Sequence, residues 1–185
     1  MEGKVVYQGP SKKGTSYIIR YPVMGDADEM WRYINKISKE KTFVTFQGED
    51  VTLEYETQYL ASQLQKIAIG QTVQLLVFVG EKLVGIAGIE MKDRTSAHEG
   101  VFGISIDSDF RGEGIGKTLM KVIIKEAEEK MPQLKIVTLG LFGDNPRACK
   151  IYENFGFVES GRTPKGILHK GNYVDHIYMH KTIRE

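Results

Sequence analysis

Seven residues, Arg111-Gly112-Glu113-Gly114-Ile115-Gly116-Lys117, constrain this chain more than any others. They follow an apolar run, Val101 to Ile106, that reads as a strand, and they precede Thr118 to Lys130, which reads as a helix. In that helix Leu119, Val122, Ile123, Glu126 and Ala127 fall along one face, all apolar but Glu126, while Lys117, Lys121, Lys125 and Glu128 lie off it. The glycines therefore sit where a strand turns into a helix. A helix start carries N–H groups without intrahelical partners and about +0.5 of a charge from its dipole. Glycine has no side chain to keep a ligand from the backbone and takes positive φ at little cost. The stretch reads as a cradle for an anion, and for phosphate in particular.

The spacing excludes two phosphate loops. Gly116-Lys117-Thr118 ends like a Walker A motif, but the first glycine of that motif would fall on Arg111. The dinucleotide pattern G-x-G-x-x-G ends on Lys117 when started from Gly112, and on Leu119 when started from Gly114. What fits is Arg-x-x-Gly-x-Gly, which resembles the acetyl-CoA pyrophosphate loop of the GNAT superfamily of N-acetyltransferases.

A second stretch carries the same resemblance. Asn145-Pro146-Arg147-Ala148-Cys149-Lys150-Ile151-Tyr152-Glu153-Asn154-Phe155-Gly156-Phe157 is similar to the family pattern N-x-x-A-x-x-x-Y-x-x-x-G-F. Asn145 and Tyr152 are seven residues apart, close to two helical turns at about 3.6 residues each, so they share a face. The resemblance implies that Asn145 contacts the pantetheine region of the cofactor and that Tyr152 protonates the departing thiolate. A phenol of pKa about 10 is protonated at neutral pH and can donate. Asn145 before Pro146 is equally a natural N-cap, and Tyr152 is equally a core aromatic. Phe155 and Phe157 read as core, and Cys149 as packing rather than as a nucleophile.

The balance of 25 Lys+Arg against 24 Asp+Glu gives no basic excess for a nucleic-acid partner. One cysteine, Cys149, excludes an intrachain disulfide and fits a reducing compartment, the cytoplasm. The N-terminus is polar, without the apolar core of a signal peptide, and no apolar run is long enough to cross a bilayer, so no membrane is expected. His169, His176 and His180 lack metal-ligand spacing, so no metal is expected.

Taken in order, residues 1–16 are polar and read as a loosely ordered segment before a single domain over 17–185. Tyr17 to Tyr21 reads as a first strand. Asp26 and Glu29 suggest a capping box opening a helix through Met30, Tyr33, Ile34 and Ile37. A second helix starts near Thr52, with Leu53, Leu60, Leu64 and Ile67 as its apolar stripe and Gly70 as its stop. Gln74 to Val79 and Leu83 to Met91 form a hairpin turning at Gly80-Glu81. His98 to Asp107 is the strand that enters the glycine loop. Lys135 to Phe142 is another strand, a short helix runs from Pro146 to Phe155, and Phe157 to Arg162 and Asn172 to His180 are two terminal strands joined by a polar loop. The order β-α-α-β-β-β-α-β-α-β-β resembles the GNAT fold from about Tyr17 to Thr182. That implies an α/β, mixed-sheet architecture of about seven strands flanked by about four helices. In it the strands on either side of the phosphate-loop helix splay apart to admit the pantetheine arm.

The resemblance implies an acetyl-CoA-dependent N-acetyltransferase acting on a primary amine: a small amine, a polyamine, an amino acid or a protein N-terminus. Acetyl-CoA would bind along Ile104, Ser105 and Ile106 by backbone pairing, and at Arg111, Gly112, Glu113, Gly114, Ile115, Gly116 and Lys117 through backbone N–H groups. The amine would attack directly in a ternary complex, and a homodimer is compatible with the resemblance. Many members place a glutamate two residues before the position of Gly103, where this chain has Val101. Glu99, on the same strand face, is the substitute base; Glu90, or water, is the alternative, and a solvated strand start is the plain reading of Glu99. Tyr173 and Asp175 share a face of the last strand and reach either the substrate pocket or open surface. The missing glutamate leaves one rival, a catalytically silent acyl-CoA-binding sensor.

Overall fold

The computed structural model describes residues 1–184. Its strands are β1 (Val5–Pro10), β2 (Ser16–Arg20), β3 (Thr72–Val79), β4 (Lys82–Met91), β5 (Glu99–Ile106), β6 (Ile136–Phe142), β7 (Val158–His169) and β8 (Asn172–Thr182). Its helices are α1 (Ala27–Lys39), α2 (Leu53–Ala68), α3 (Ile115–Lys130) and α4 (Pro146–Asn154). The strands join in one mixed sheet in the order β1-β2-β3-β4-β5-β6-β8-β7. Among the described residues no helix is long and apolar enough to cross a membrane. The contacts divide into two compact units, one of Met1–Glu90 with Gly103–Pro132 and one of Met91–Phe102 with Gln133 onward, so β5 contributes its first half to one and its second half to the other.

In the first unit β3 is the centre. Thr72 to Phe78 are all buried, because helices cover both faces of this strand. On one face Leu76 and Phe78 pack with Met30, Tyr33 and Ile37 of α1, Leu60 of α2 and Leu83 of β4. On the other lies α3, which buries Ile115, Leu119, Met120, Ile123, Ile124 and Ala127. Glu126, the one acidic residue on the apolar face of α3, is buried with them because Tyr21 Oη donates to its carboxylate at 2.9 Å. That contact explains a charge at an apolar position.

Several expectations are corrected. The first sixteen residues are not loose: Val5–Pro10 pair with β2, Tyr7 stacks on Tyr17 at 5.4 Å, and Ser11 reaches Glu113. The sheet thus has eight strands instead of about seven. The capping box at α1 does not form, since the Asp26 carboxylate is held by Arg20 at 2.6 and 2.8 Å and by the Val23 N–H, while Glu29 pairs with Arg32. Leu53 is exposed rather than part of the α2 stripe; Thr52 does cap that helix, accepting from the Tyr55 N–H at 3.2 Å.

In the second unit β6 runs parallel to the first half of β5, pairing Glu99–Val101 with Ile136–Thr138, and antiparallel to β8. The expected polar loop after Arg162 is strand instead. β7 and β8 resume pairing beyond a bulge, with Ile167 opposite Val174 and Leu168 opposite Tyr173, and close at Lys170-Gly171. Within the bulge Lys165 takes φ +56° and its N–H donates to Asp175 at 3.1 Å. Gly143, after β6, donates to the Asp175 carbonyl at 2.7 Å, and a Cβ there would meet Asp175 at 2.9 Å, so only glycine permits the approach.

Candidate active site

The first unit holds the phosphate-loop candidates. Gly112 and Gly114 take φ of +81° and +88°, Gly114 being the N-cap of α3; Gly116 is helical and needs no positive φ. Arg111 spends its own N–H on Ser108, while its guanidinium donates to the Ile106 carbonyl at 2.7 Å and to Glu40 at 2.5 Å. It ties the strand end to the loop and contributes no free backbone donor. From Gly112 to Lys117 the backbone N–H groups have no acceptor among the described residues, and Thr118 is the next to bond, to the Gly114 carbonyl. These are six consecutive free donors at a helix N-terminus, the arrangement an anion would need there.

Glu113 would repel a phosphate if its carboxylate lay among those donors. It is instead buried against the β1–β2 turn, where it accepts from Ser11 Oγ at 2.7 Å and Thr15 Oγ1 at 3.4 Å and pairs with Lys13 at 3.4 Å. Ser11, then Lys13 and Thr15, hold its pKa below the usual carboxylate range. Just upstream, Asp107 is fully buried and accepts from Lys36 Nζ at 2.6 and 2.8 Å and from the Asp109 N–H at 3.0 Å. Burial pushes its pKa up, but Lys36, the Asp109 amide and Lys82 outweigh that and leave it lowered. Asp107 fixes where the loop begins; its place before a glycine loop was the only signal in the sequence. Ile104, Ser105 and Ile106 form the second half of β5, and Ser105 Oγ shares a hydrogen bond with the buried Tyr33 hydroxyl at 2.8 Å.

The second unit holds Glu99, Asn145 and Tyr152. Asn145 caps α4, its Oδ1 accepting from the Ala148 N–H at 3.1 Å. Tyr152 lies among aromatic rings, with centroid distances of 6.2 Å to Phe102 and 5.9 Å to Phe157. Burial alone pushes its pKa up to about 12, and its hydroxyl has no hydrogen-bond partner among the described residues. The phenol is thus protonated at neutral pH and uncommitted. Cys149 faces Glu153, and burial first, then that carboxylate, raises its pKa, which suits packing rather than a thiolate. Glu99 is held by Lys92 at 2.6 Å, and that pairing lowers its pKa. Glu90, the alternative, belongs to the first unit and is engaged by Lys66 at 2.5 Å and Gln63 at 3.1 Å. Asp175 pairs with Arg162 at 3.1 Å, and Tyr173 is exposed.

Residues 31–157 match the model of the acetyltransferase (GNAT) family. The chain is 32% identical over 107 residues to the L-amino acid N-acetyltransferase AaaT of Escherichia coli (strain K12), covering 57% of this chain and 65% of that protein. The crystal structure of an acetyltransferase of the GNAT family from Streptococcus pneumoniae superposes with a TM-score of 0.82 at 26% identity, covering 90% of this chain and all but 1% of that one, whose covered share is 99%. The structure of yncA, a putative acetyltransferase from Salmonella typhimurium with its cofactor acetyl-CoA, has the same fold, with a TM-score of 0.79 at 14% identity over 91% of this chain and 95% of that one. The glycine loop, the helix that follows it and the whole Asn145 to Phe157 stretch fall inside the matched region, and the chain belongs to the GNAT acetyltransferase family.

Proposed function

We propose that this chain moves an acetyl group from acetyl-CoA to a primary amine by direct attack in a ternary complex. The observation that carries the reading is the run of six unanswered N–H groups at Gly112 to Lys117, a receptor for the pyrophosphate of the acyl donor. The backbone of Ile104 to Ile106 is assigned to the pantetheine arm, and the Asn145 amide, whose oxygen is used in capping, offers its nitrogen to the same ligand. The amine nitrogen attacks the thioester carbonyl carbon, the C–S bond breaks, and the thiolate takes the phenolic proton of Tyr152.

The attacking nitrogen must first lose a proton, since an alkylammonium has a pKa near 10. Glu99 is the side chain assigned to receive it, directly or through water. Its pairing with Lys92 makes it a weaker base than a free carboxylate. The cytoplasm, as a reducing compartment, suits the single cysteine.

Thiol release from acetyl-CoA, measured against a panel of primary amines, tests the reading. Transfer to at least one amine, with stoichiometric thiol, is expected; release to water alone would leave a binding module. Run across pH, Glu99→Gln should lose rate below neutrality more than above it, because free amine becomes commoner as pH rises. A profile identical to wild type would remove Glu99 from the mechanism and leave water or Glu90.

A further inference from the structure

Helix α1 ends on an acid. Glu40 is its C-cap, beside Lys36 and Lys39 of the last turn. The unsatisfied carbonyls there form the negative end of the helix dipole, which favours cations and disfavours a carboxylate. Lys39 does not answer the charge, because its ammonium goes to the Gly48 carbonyl at 2.9 Å and to Asp50 at 2.7 Å. Glu40 is instead turned inward, its side chain 14% exposed. One carboxylate oxygen accepts from the Ser108 N–H at 3.3 Å and the other from the Arg111 guanidinium at 2.5 Å. A residue disfavoured by its own helix, with both oxygens spent on one distant segment, points to a demand made by that segment.

Glu40 is the last contact of a row. Tyr33, Lys36 and Glu40 follow one another at helical spacing and line one face of α1. They meet, in order, the end of β5, Asp107 and the turn from Ser108 to Arg111. Tyr33 Oη shares a hydrogen bond with Ser105 Oγ at 2.8 Å. Lys36 Nζ donates to the two Asp107 oxygens at 2.6 and 2.8 Å and to Asp109 at 2.7 Å. Lys82 adds a second cation 3.3 Å from Asp107 and stands 5.1 Å from the Phe110 ring centroid. Within itself the turn has the Phe110 N–H on the Asp107 carbonyl at 2.9 Å and the Arg111 N–H on the Ser108 carbonyl at 3.3 Å. Its position relative to the sheet is therefore imposed by side chains of α1.

The segment that follows has little of its own to hold it. Gly112 takes φ +81°, and a Cβ there would meet nothing within 4 Å. The backbone N–H groups from Gly112 to Lys117 have no acceptor among the described residues. Downstream, Glu113 is fastened to Ser11 and the helix begins. Upstream, the direction of the chain is set by the 107–111 turn. Donors already in place bind an anion more tightly than donors that must be ordered as it arrives.

We propose that Glu40 and Lys36 are positioning residues for the acyl donor: from α1 they hold the 107–111 turn, so that the N–H groups after Arg111 converge before the pyrophosphate binds. Both act through Arg111 and Asp107 rather than by contact with the donor. The inference rests on the reading of the glycine loop as the donor's pyrophosphate site.

Acetyl-CoA affinity, read by calorimetry well below the melting temperature of every variant, tests the clamp. Glu40→Gln keeps an oxygen for the Ser108 N–H but leaves Arg111 without its anion, and it should weaken binding about tenfold. Arg111→Gln should do the same. The double variant should be no weaker than the weaker single one, because both remove one contact. Lys36→Met, which leaves Glu40 intact, should give a similar loss, and Lys36→Arg should restore wild-type affinity. With an amine that the wild type acetylates, Glu40→Gln should raise the KM for acetyl-CoA at unchanged kcat. Unchanged affinity in both Glu40→Gln and Lys36→Met, with lowered melting temperatures, would make these ties structural only and overturn the proposal. Tighter binding in Glu40→Gln would also overturn it, by making the freed Arg111 a phosphate ligand. Additive losses in the double variant would overturn the action of Glu40 through Arg111. A wild type that binds no acetyl-CoA would defeat the donor site and the clamp together. A wild type that binds it, loses affinity in these variants and acetylates nothing would defeat acetyl transfer and keep the clamp.

Discussion

Tyr152 shows how one side chain can be read for chemistry or for packing, and how its surroundings separate the two. Its ring contributes to the aromatic contacts with Phe102 and Phe157, which Tyr152→Phe would preserve. Its hydroxyl has no partner to lose among the described residues. The substitution should therefore leave the melting temperature and the acetyl-CoA affinity nearly unchanged. If Tyr152 supplies the thiolate's proton, kcat should fall by roughly 10²–10⁴-fold, the usual range for a lost general acid. Full kcat would remove Tyr152 from the mechanism.

Among the elements, the proposed cradle at the start of α3 depends on parts far apart in sequence. Arg111 anchors one end of the loop to the Ile106 carbonyl and Glu40, and the β1–β2 turn takes the Glu113 carboxylate out of the way. Gly116 tests the cradle most cleanly. Its backbone is unstrained, and an added Cβ would lie at ordinary contact distance, 3.4 Å, from Ile106. Gly116→Val should therefore fold and place bulk over the free N–H groups. Acetyl-CoA affinity, read by calorimetry, should drop by about 10–100-fold, the equivalent of one or two hydrogen bonds to a charged group. Unchanged affinity would remove the cradle as the donor's binding site. At the sheet's edge, β7 has Pro164 without an N–H, a bulge at Lys165 and the charges of Glu159 and Arg162. These features oppose pairing with another strand.

For the molecule as a whole, stability should be graded outward from β3. Every residue from Thr72 to Phe78 is buried, whereas β7 is an edge strand exposed along most of its length. Amide hydrogen exchange under native conditions should be slowest in β3, whose opening requires global unfolding, and fastest around the β7 bulge, whose amides can open locally. Comparable protection in the two strands would contradict this gradient.

The residues Arg111 to Lys117 and Asn145 to Phe157 made the family and most of the element order legible in sequence. Backbone chemistry accounts for this: glycine at a strand-to-helix junction and an asparagine–proline helix start specify local geometry without help from distant residues. Less local features were not legible. The pairing of Val5–Pro10 depends on a partner strand and on Glu113, and the continuation of β7 past Pro164 depends on β8. Neither the capture of Glu99 by Lys92 nor the burial of Asp107 between lysines has a local pattern. A charge is paired or left alone only by what the fold brings against it, and that is decided by tertiary packing.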